Sequence, residues 1–262
     1  MKFKSISKKK MQGDKNINFF EKYIIHYKRM MNTPPPYDRV KLAPQKYRII
    51  ASWLPEDKSS PILDVGCGWG HLLLYLWATG YRNLTGVEYS KEQFEMARTF
   101  LPPEIRIINE DAKIFLRNTS AQFYCITMFD VIEHMPEEDA IELLQLIYDK
   151  LQPTGYVVIR TPNMANILGA YTRYMDLTHL TGYTEWKLFQ LLDIAGFTNY
   201  KVLPPVLYTA SRRWYIPWRG IGLREKLVAY IHLILYKILG MYPIPAARGI
   251  NLIVQSFKNA EK

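Results

Sequence analysis

The stretch ILDVGCGWG, residues 62–70, sets one acid, Asp64, just ahead of three glycines at alternate positions, Gly66, Gly68 and Gly70. Glycine lets a chain turn sharply and lets a ligand touch its backbone. The spacing is G-x-G-x-G, not the G-x-G-x-x-G of a dinucleotide site, and no G-K-[ST] ending marks a P-loop. Asp64 would repel a pyrophosphate, whereas a ligand carrying an ammonium group suits it. Glu88 stands 18 residues beyond Gly70, in LTGVEYS. An acid there can accept hydrogen bonds from both hydroxyls of a ribose. Asp111, in NEDA at 109–112, can receive an adenine amino group, with the Ala112 N–H facing a ring nitrogen. Each feature alone has an ordinary reading: a tight turn for the glycines, a surface acid or helix cap for Glu88 or Asp111.

An ammonium site, a ribose site and an adenine site in that order describe S-adenosylmethionine. To meet one ligand, the three acids must stand at strand ends of an open α/β sheet, where such sheets bind ligands. Short apolar runs at 61–65, 84–88, 105–108, 123–128, 155–160, 198–202 and 250–257 read as strands, and stretches at 70–79, 90–100, 137–151 and 184–195 as helices. This alternation implies βαβ units and a mostly parallel sheet. No simple helix separates the last two strands, which suits an antiparallel final strand. Upstream, Phe19, Tyr23, Ile24 and Tyr27 recur at helical spacing until TPPP at 33–36 ends the helix, and a second helix is expected over 37–54. The resulting division is a disordered basic tail over 1–15, an N-terminal helical cap over 16–56, and a sheet domain over 57–262 with an insertion at 204–248.

The 262 residues, 48% hydrophobic, suffice for one large core. The two cysteines, Cys67 and Cys125, allow no disulfide framework and match no zinc spacing, which suits a reducing cytosol. No apolar stretch follows the basic MKFKSISKKK, so no secretory signal is expected. The net charge of +10 lies at the two ends. Nine basic residues face two acidic ones over 1–30, 15 face 20 over 31–200, and ten face two over 201–262, giving +7, −5 and +8. Basic ends suit anionic lipid, nucleic acid or anionic glycan, or a merely solvated tail.

The segments ILDVGCGWG, LTGVEYS, NEDA, FYCITMFDVIEHMPEED and LQPTGYVVIRTPN, spanning about residues 60–163, resemble the class I S-adenosylmethionine-dependent methyltransferases. The resemblance implies a Rossmann-like seven-stranded α/β sheet with N-terminal helices and a helical insertion before the last strand. It implies that Asp64 and the loop of Gly66, Cys67, Gly68 and Gly70 hold the methionine part of the donor, Glu88 the ribose, and Asp111 with Ala112 the adenine. Main-chain groups near Met128 and Phe129 would complete the methionine pocket, and Tyr89 would stack on the adenine; core packing is the other reading of Tyr89. One departure is Tyr124, which stands where the fourth strand of the family ordinarily begins with an acid. That position precedes the site, so little consequence is expected.

Subfamilies separate at the fourth strand end, which reads MFDVIEHM rather than the [DN]-P-P-[YF] of nucleobase amino methyltransferases. Cys125 lies inside a strand and reads as core, not as the nucleophile of cytosine C5 enzymes. Glu133 lacks the companion acid of the protein arginine enzymes. Asp130 and Asn163 are conceivable metal ligands, but the adjacent Asp-Asn pair of the catechol-type enzymes is missing, so no metal is expected. The stretch YMDLTHLTGYTEWKLFQLLDIAGF, 174–197, resembles the D-x-T-H-x-x-x-[YF]-[ST] segment of sugar and quinone O-methyltransferases. Methylating a hydroxyl requires loss of its proton as the carbon–oxygen bond forms, and a neutral imidazole can take it. His179 is the first candidate base and His134 the second. Ordinary structural work, a helix cap for His134 and a loop hydrogen bond for His179, is the alternative for each.

In the insertion, LREKLVAYIHLILYKILGM at 223–241 reads as an amphipathic helix. Leu227, Val228, Ile231, Ile234, Leu235, Ile238 and Leu239 share one arc, with Glu225, Lys226, Tyr230, His232, Tyr236 and Lys237 opposite. The apolar run is too short to span a bilayer. The preceding SRRWYIPWRG, 211–220, interleaves Trp and Arg as at a membrane–water boundary, or as in a glycan or nucleic-acid groove. The arc therefore suits a membrane surface, the protein's own core or a second copy in a homodimer, with nucleic acid less favoured. The insertion resembles those of methyltransferases from bacterial surface-polysaccharide clusters. That implies a sugar hydroxyl on a lipid-linked glycan as acceptor, in the cytoplasm at the inner membrane face. A polyprenylated quinone precursor is the alternative acceptor, and a non-catalytic cofactor-binding adaptor the alternative of another class.

Overall fold

β1 (Ile62–Val65) and β2 (Leu84–Glu88) are buried at every position. A strand hidden on both faces belongs to a parallel sheet covered by helices on each side. A computed structural model, describing residues 50–203, 223–240, 245–247 and 249–259, shows that sheet. The remaining strands are β3 (Arg106–Asn109), β4 (Phe123–Phe129), β5 (Leu151–Pro162), β6 (Asn199–Val202) and β7 (Asn251–Phe257). Their order is β3-β2-β1-β4-β5-β7-β6. β1 to β5 pair in parallel, while β7 runs antiparallel to both β5 and β6, as the missing crossover helix predicts. The chain winds outward from β1 to β3 on one side and from β4 on the other. The crevice for a ligand therefore opens where the order reverses, above the ends of β1 and β4.

Helices α1 (His71–Ala78), α2 (Lys91–Phe100), α3 (Ala112–Asn118), α4 (Glu137–Lys150), α5 (Gly169–Tyr174) and α6 (Glu185–Ile194) follow the strands in turn, and α7 (Leu223–Ile238) is bonded to the loop after β5. Alternate residues of β1 serve two cores: Ile62 joins a cluster with Leu73, Leu76 and Ile253, and Leu63 one with Leu116, Ile126 and Leu144. Ser90 caps α2 by accepting from the Gln93 N–H, and Thr184 caps α6 by accepting from the Lys187 N–H. The insertion is tied down just before β7: the buried Glu185 carboxylate accepts the Ala246 and Ala247 N–H groups at 2.9 Å each.

Several boundaries differ from the sequence reading. The described end of the expected helix over 37–54 is a 3-10 turn, Ile50–Trp53, cut short ahead of Pro55. β5 starts at Leu151 rather than 155, with a register shift between Phe123 and Cys125. α3 and α5 have seven and six residues, too few for helical periodicity to show. The tail over 1–15, the helix expected over 16–31, most of that over 37–54, and the segment 211–220 lie outside the described residues.

Candidate active site

Beyond β1 the chain turns through Gly66, Gly68 and Gly70 with φ of 66°, 55° and 75°. A Cβ on Gly66 would lie 2.4 Å from Val131 Cγ2, and one on Gly70 would lie 2.4 Å from Leu101 Cδ1. The loop thus needs glycine both for its left-handed backbone and for its closeness to Val131 after β4 and Leu101 after α2. The Gly66 and Cys67 N–H groups donate to the Val87 carbonyl at 2.9 and 3.1 Å. Cys67 differs from the expectation in its side chain. Its sulfur fills the space over Gly86, and burial pushes the thiol well above its ordinary range. Only the backbone of Cys67 is left for a ligand.

Glu88 is buried and links the loop to β2. Its Oε2 accepts from the Gly68 N–H at 2.8 Å and its Oε1 from the Ser90 N–H at 2.7 Å. A carboxylate has about four lone-pair sites, so each oxygen keeps capacity for one more donor. Burial raises the Glu88 pKa, against these N–H bonds. Asp64 is buried beside it, and Thr127 Oγ1 donates to its Oδ1 at 2.7 Å. Burial pushes Asp64 up to about 7, despite the Thr127 bond and the nearby Arg160 charge. Asp111 caps α3: its Oδ1 accepts the Lys113 and Ile114 N–H groups at 2.8 and 3.2 Å, and Oδ2 takes no part in those bonds. Ala112 opens that helix. Tyr89 is 57% exposed and is no core residue. The Met128 side chain is wholly buried, and Phe129 lies under the Arg160 guanidinium, 4.8 Å from its ring centre, which leaves the main chain as what these two could offer a ligand.

A second centre stands at the exit of β4. Glu133 and His134 lie on the 3-10 turn Ile132–His134. The Leu180 and Thr181 N–H groups donate to the Glu133 carbonyl at 2.8 and 3.0 Å, and Thr181 Oγ1 donates to the Met135 carbonyl at 2.8 Å. The Arg173 guanidinium donates to the carbonyls of His179 and Leu180. These bonds lash the loop around 178–181 to the turn and bring the His134 and His179 rings to 4.9 Å between centres.

The hydrogen-bond network fixes both tautomers. The Thr178 hydroxyl donates to Asp176 Oδ1 at 2.7 Å, so towards His134 Nδ1 at 2.9 Å it accepts. The Thr178 carbonyl also accepts from that Nδ1, at 3.1 Å. His179 Nδ1 donates to the Thr172 carbonyl at 2.9 Å. Each neutral ring therefore carries its proton on Nδ1 and its lone pair on Nε2. Burial, with His179 beside it, lowers the His134 pKa and keeps that ring neutral at pH 7. Burial also raises Asp176, but the Thr178 hydroxyl and N–H outweigh it and hold the carboxyl below its usual range.

The two conceivable metal ligands read from the sequence do other work. Asn163 Nδ2 donates to the Ala247 and Gly249 carbonyls at 2.9 and 3.0 Å, and its Oδ1 accepts from the Ala165 N–H. Asp130, at φ 56°, is ion-paired with Arg160. Sequence reasoning missed Thr127, Thr172 and the role of Asp176. Only the last had a signal: the D-x-T spacing lets one carboxylate hold Thr178 twice.

The insertion helix also departs from the amphipathic reading. His232 is 3% exposed and its Nε2 accepts the Ile167 N–H at 2.7 Å. Tyr236 O–H donates to the Ala165 carbonyl at 2.8 Å. α7 thus holds the protein through His232 and Tyr236 and turns Leu227, Ile231, Ile238 and Leu239 outward, with Tyr230 and Lys237 exposed as well. No helix among the described residues is long and apolar enough to cross a membrane.

A family model described as a methyltransferase domain matches residues 39–202. The chain belongs to this methyltransferase family. Seven strands in this order make it a class I, S-adenosylmethionine-dependent methyltransferase. The residues present fit that donor: a glycine turn a side chain would block, a buried acid suited to an ammonium, and a second buried acid with acceptor capacity left. The methyltransferase is 32% identical over 116 residues to EEF1A lysine methyltransferase 2 of Danio rerio, and 28% identical over 128 residues to the cyclopropane-fatty-acyl-phospholipid synthase of Escherichia coli K12. Those matches cover 40% and 47% of this chain, and 49% and 32% of the two relatives' lengths. A SAM-dependent methyltransferase structure from Archaeoglobus fulgidus aligns at TM-score 0.64 and 19% identity, over 90% of this chain and 100% of that one. One from Thermotoga maritima, described as a possible histamine N-methyltransferase, aligns at 0.59 and 17%, over 92% and 98%. At these identities the structures speak to fold alone.

Two predictions follow from the donor side. An ammonium beside Asp64 favours its charged form. Below about pH 7, donor binding is then expected to release a proton from Asp64. Affinity should rise as pH increases through about 7, levelling off before the ligand's own amine titrates near pH 8. Calorimetry at pH 6 in buffers of different ionisation enthalpy reads the proton directly, and Asp64→Asn should abolish both effects. A wild-type affinity that is flat between pH 6 and 7.5 rules this contact out. Glu88→Ala should weaken donor binding by about 2 kcal/mol or more, roughly 30-fold. Unchanged affinity by calorimetry would remove Glu88 from the ribose.

Proposed function

We propose that this methyltransferase methylates a hydroxyl of a lipid-linked sugar at the inner face of a membrane. The observation that carries the reading is the Glu133–His134–His179 centre beside the donor crevice, since an oxygen acceptor must lose a proton there. Bound donor supplies an electrophilic methyl group on a sulfonium. Asp64 meets its ammonium, the remaining lone pairs of Glu88 meet the ribose hydroxyls, and Asp111 Oδ2 with the Ala112 N–H meets the adenine edge. Tyr89 stacks on that adenine, while loop 66–70 and the main chain of Met128 and Phe129 shape the methionine pocket. On the acceptor side, Thr172 and the Asp176–Thr178 pair hold the two imidazoles in place. Neither ring acts alone; they work as one unit at which the hydroxyl proton is lost.

The lipid part of the reading rests on surface chemistry. Tyr174 and Leu177, flanking the loop that carries His179, are 81% and 78% exposed, and Ile167, Leu168, Tyr171 and Leu180 are exposed near them. α7 leans on the same stretch through Ala165 and Ile167 and adds its outward arc. An apolar rim of this kind marks an interaction surface. The +8 charge of residues 201–262 selects an anionic lipid face over a second basic copy of the chain.

His179→Ala should lower turnover by about 100-fold or more while donor affinity stays nearly constant. Labelled-methyl transfer to lipid-linked oligosaccharides, quinone precursors and amine acceptors reads this. Label entering only quinone precursors or amines would displace the sugar assignment. Docking is read by co-sedimentation with vesicles of graded anionic lipid content. Wild type should pellet, less so at high salt, because apolar burial persists while each basic contact of about 1 kcal/mol is screened. The exposed-face variant Leu227→Glu/Ile231→Glu/Ile238→Glu should stay in solution. A folded wild type that does not pellet at low salt defeats the membrane reading.

A further inference from the structure

Glu133, His134 and His179 each offer a ligand atom, and the three atoms lie within 4.8 Å of one another. Glu133 is 2% exposed, and Thr161 Oγ1 donates to its Oε2 at 3.0 Å. Its Oε1 is buried and receives no hydrogen bond among the described residues. A buried carboxylate oxygen without a donor is costly, and native structures rarely leave one so. In the tautomers assigned above, the Nδ1 protons of both rings go to backbone carbonyls, so Nε2 is the atom with which each ring would meet a cation. Burial, with Asp130 nearby, raises the Glu133 carboxyl well above its ordinary range, so a cation bound here would displace its proton. The centre gathers three residues that each offer one ligand atom.

We propose that Glu133, His134 and His179 bind one nitrogen-seeking divalent cation of the Zn²⁺ class, and that the acceptor hydroxyl loses its proton on it. Two imidazoles and one carboxylate form a set that suits Zn²⁺ and related transition cations; Mg²⁺ prefers an all-oxygen shell. Tetrahedral donors about 2.0–2.2 Å from one cation stand roughly 3.3–3.6 Å apart, so ligand atoms now within 4.8 Å of one another draw together by about 1 Å on binding. The surroundings match those that orient metal ligands: a carbonyl on the far nitrogen of each ring, the Asp176–Thr178 relay behind His134, and Thr161 behind Glu133. Three protein ligands leave a position for the substrate oxygen.

The chemistry rests on the hydroxyl-acceptor reading above, while the binding site does not. The cation acidifies the coordinated hydroxyl, whose proton leaves to water. The oxygen then forms its bond to the methyl carbon as the carbon–sulfur bond breaks, and that electron pair returns to sulfur, turning the sulfonium into a thioether.

The test uses the full chain, stripped with chelator and titrated with Co²⁺ and then Zn²⁺. We expect one ion per chain, with a visible Co²⁺ absorption band that Zn²⁺ displaces. His134→Ala, His179→Ala and the near-isosteric Glu133→Gln should each weaken binding at least tenfold, while donor affinity, read by calorimetry, changes less than twofold and reports that the variants fold. Wild-type protein that binds donor but neither ion at 100 μM, or ion binding unchanged in all three variants, overturns the site. If stripped protein turns over at the full rate while His179→Ala does not, the imidazoles take the proton unaided; the proposed cation then fails and the hydroxyl reading stands.

Discussion

The register of β1 between β2 and β4 is the constraint on which the site depends. Asp64 lies opposite Gly86 on one side and Thr127 on the other. That pairing gives the buried acid its hydroxyl partner and leaves room over Gly86 for the Cys67 sulfur. A slip of one residue would turn Asp64 to the other face and separate it from Thr127. The same register ends β1 where the glycine turn can reach the Val87 carbonyl and pass under Val131.

Donor side and acceptor side share one short segment. Val131 packs over Gly66, while Glu133 and His134, just beyond, belong to the second centre. The acceptor loop is held to this segment mainly through backbone, by the Glu133 carbonyl and the Leu180 and Thr181 N–H groups. The geometry of the histidine pair is thus insulated from changes in most side chains. It is sensitive to Asp176 and Thr178, whose side chains orient the His134 ring, while the Thr172 main-chain carbonyl orients His179.

α7 inverts the usual economy of an amphipathic helix. Its His232 and Tyr236 act inward because the loop after β5 presents an N–H and a carbonyl that need partners, and Leu227, Ile231, Ile238 and Leu239 face out while Leu233 and Leu235 are half-buried. Polar groups thus make the tertiary contact, and the apolar arc joins the exposed rim near His179.

Much was legible in the residues themselves. Alternating apolar runs and helices determine an open parallel sheet, because buried strands and one-sided helices pack stably in few ways. The strand ends located Asp64, the glycine turn, Glu88 and Asp111, because binding at those ends is a property of topology rather than of detail. Short elements escaped: α3 and α5 hold too few residues to display a period. Partner choice escaped too. That Cys67 points into the core, and which arc of α7 faces inward, are decided by what the rest of the chain places alongside. The sharpest case is the second centre. His134 and Thr178 are 44 residues apart and meet only because the β4 exit and the loop after β5 exchange backbone hydrogen bonds. Sequence named both histidines, but only the folded chain made them a pair, set Glu133 beside them, and through two carbonyls chose which nitrogen of each ring holds the proton.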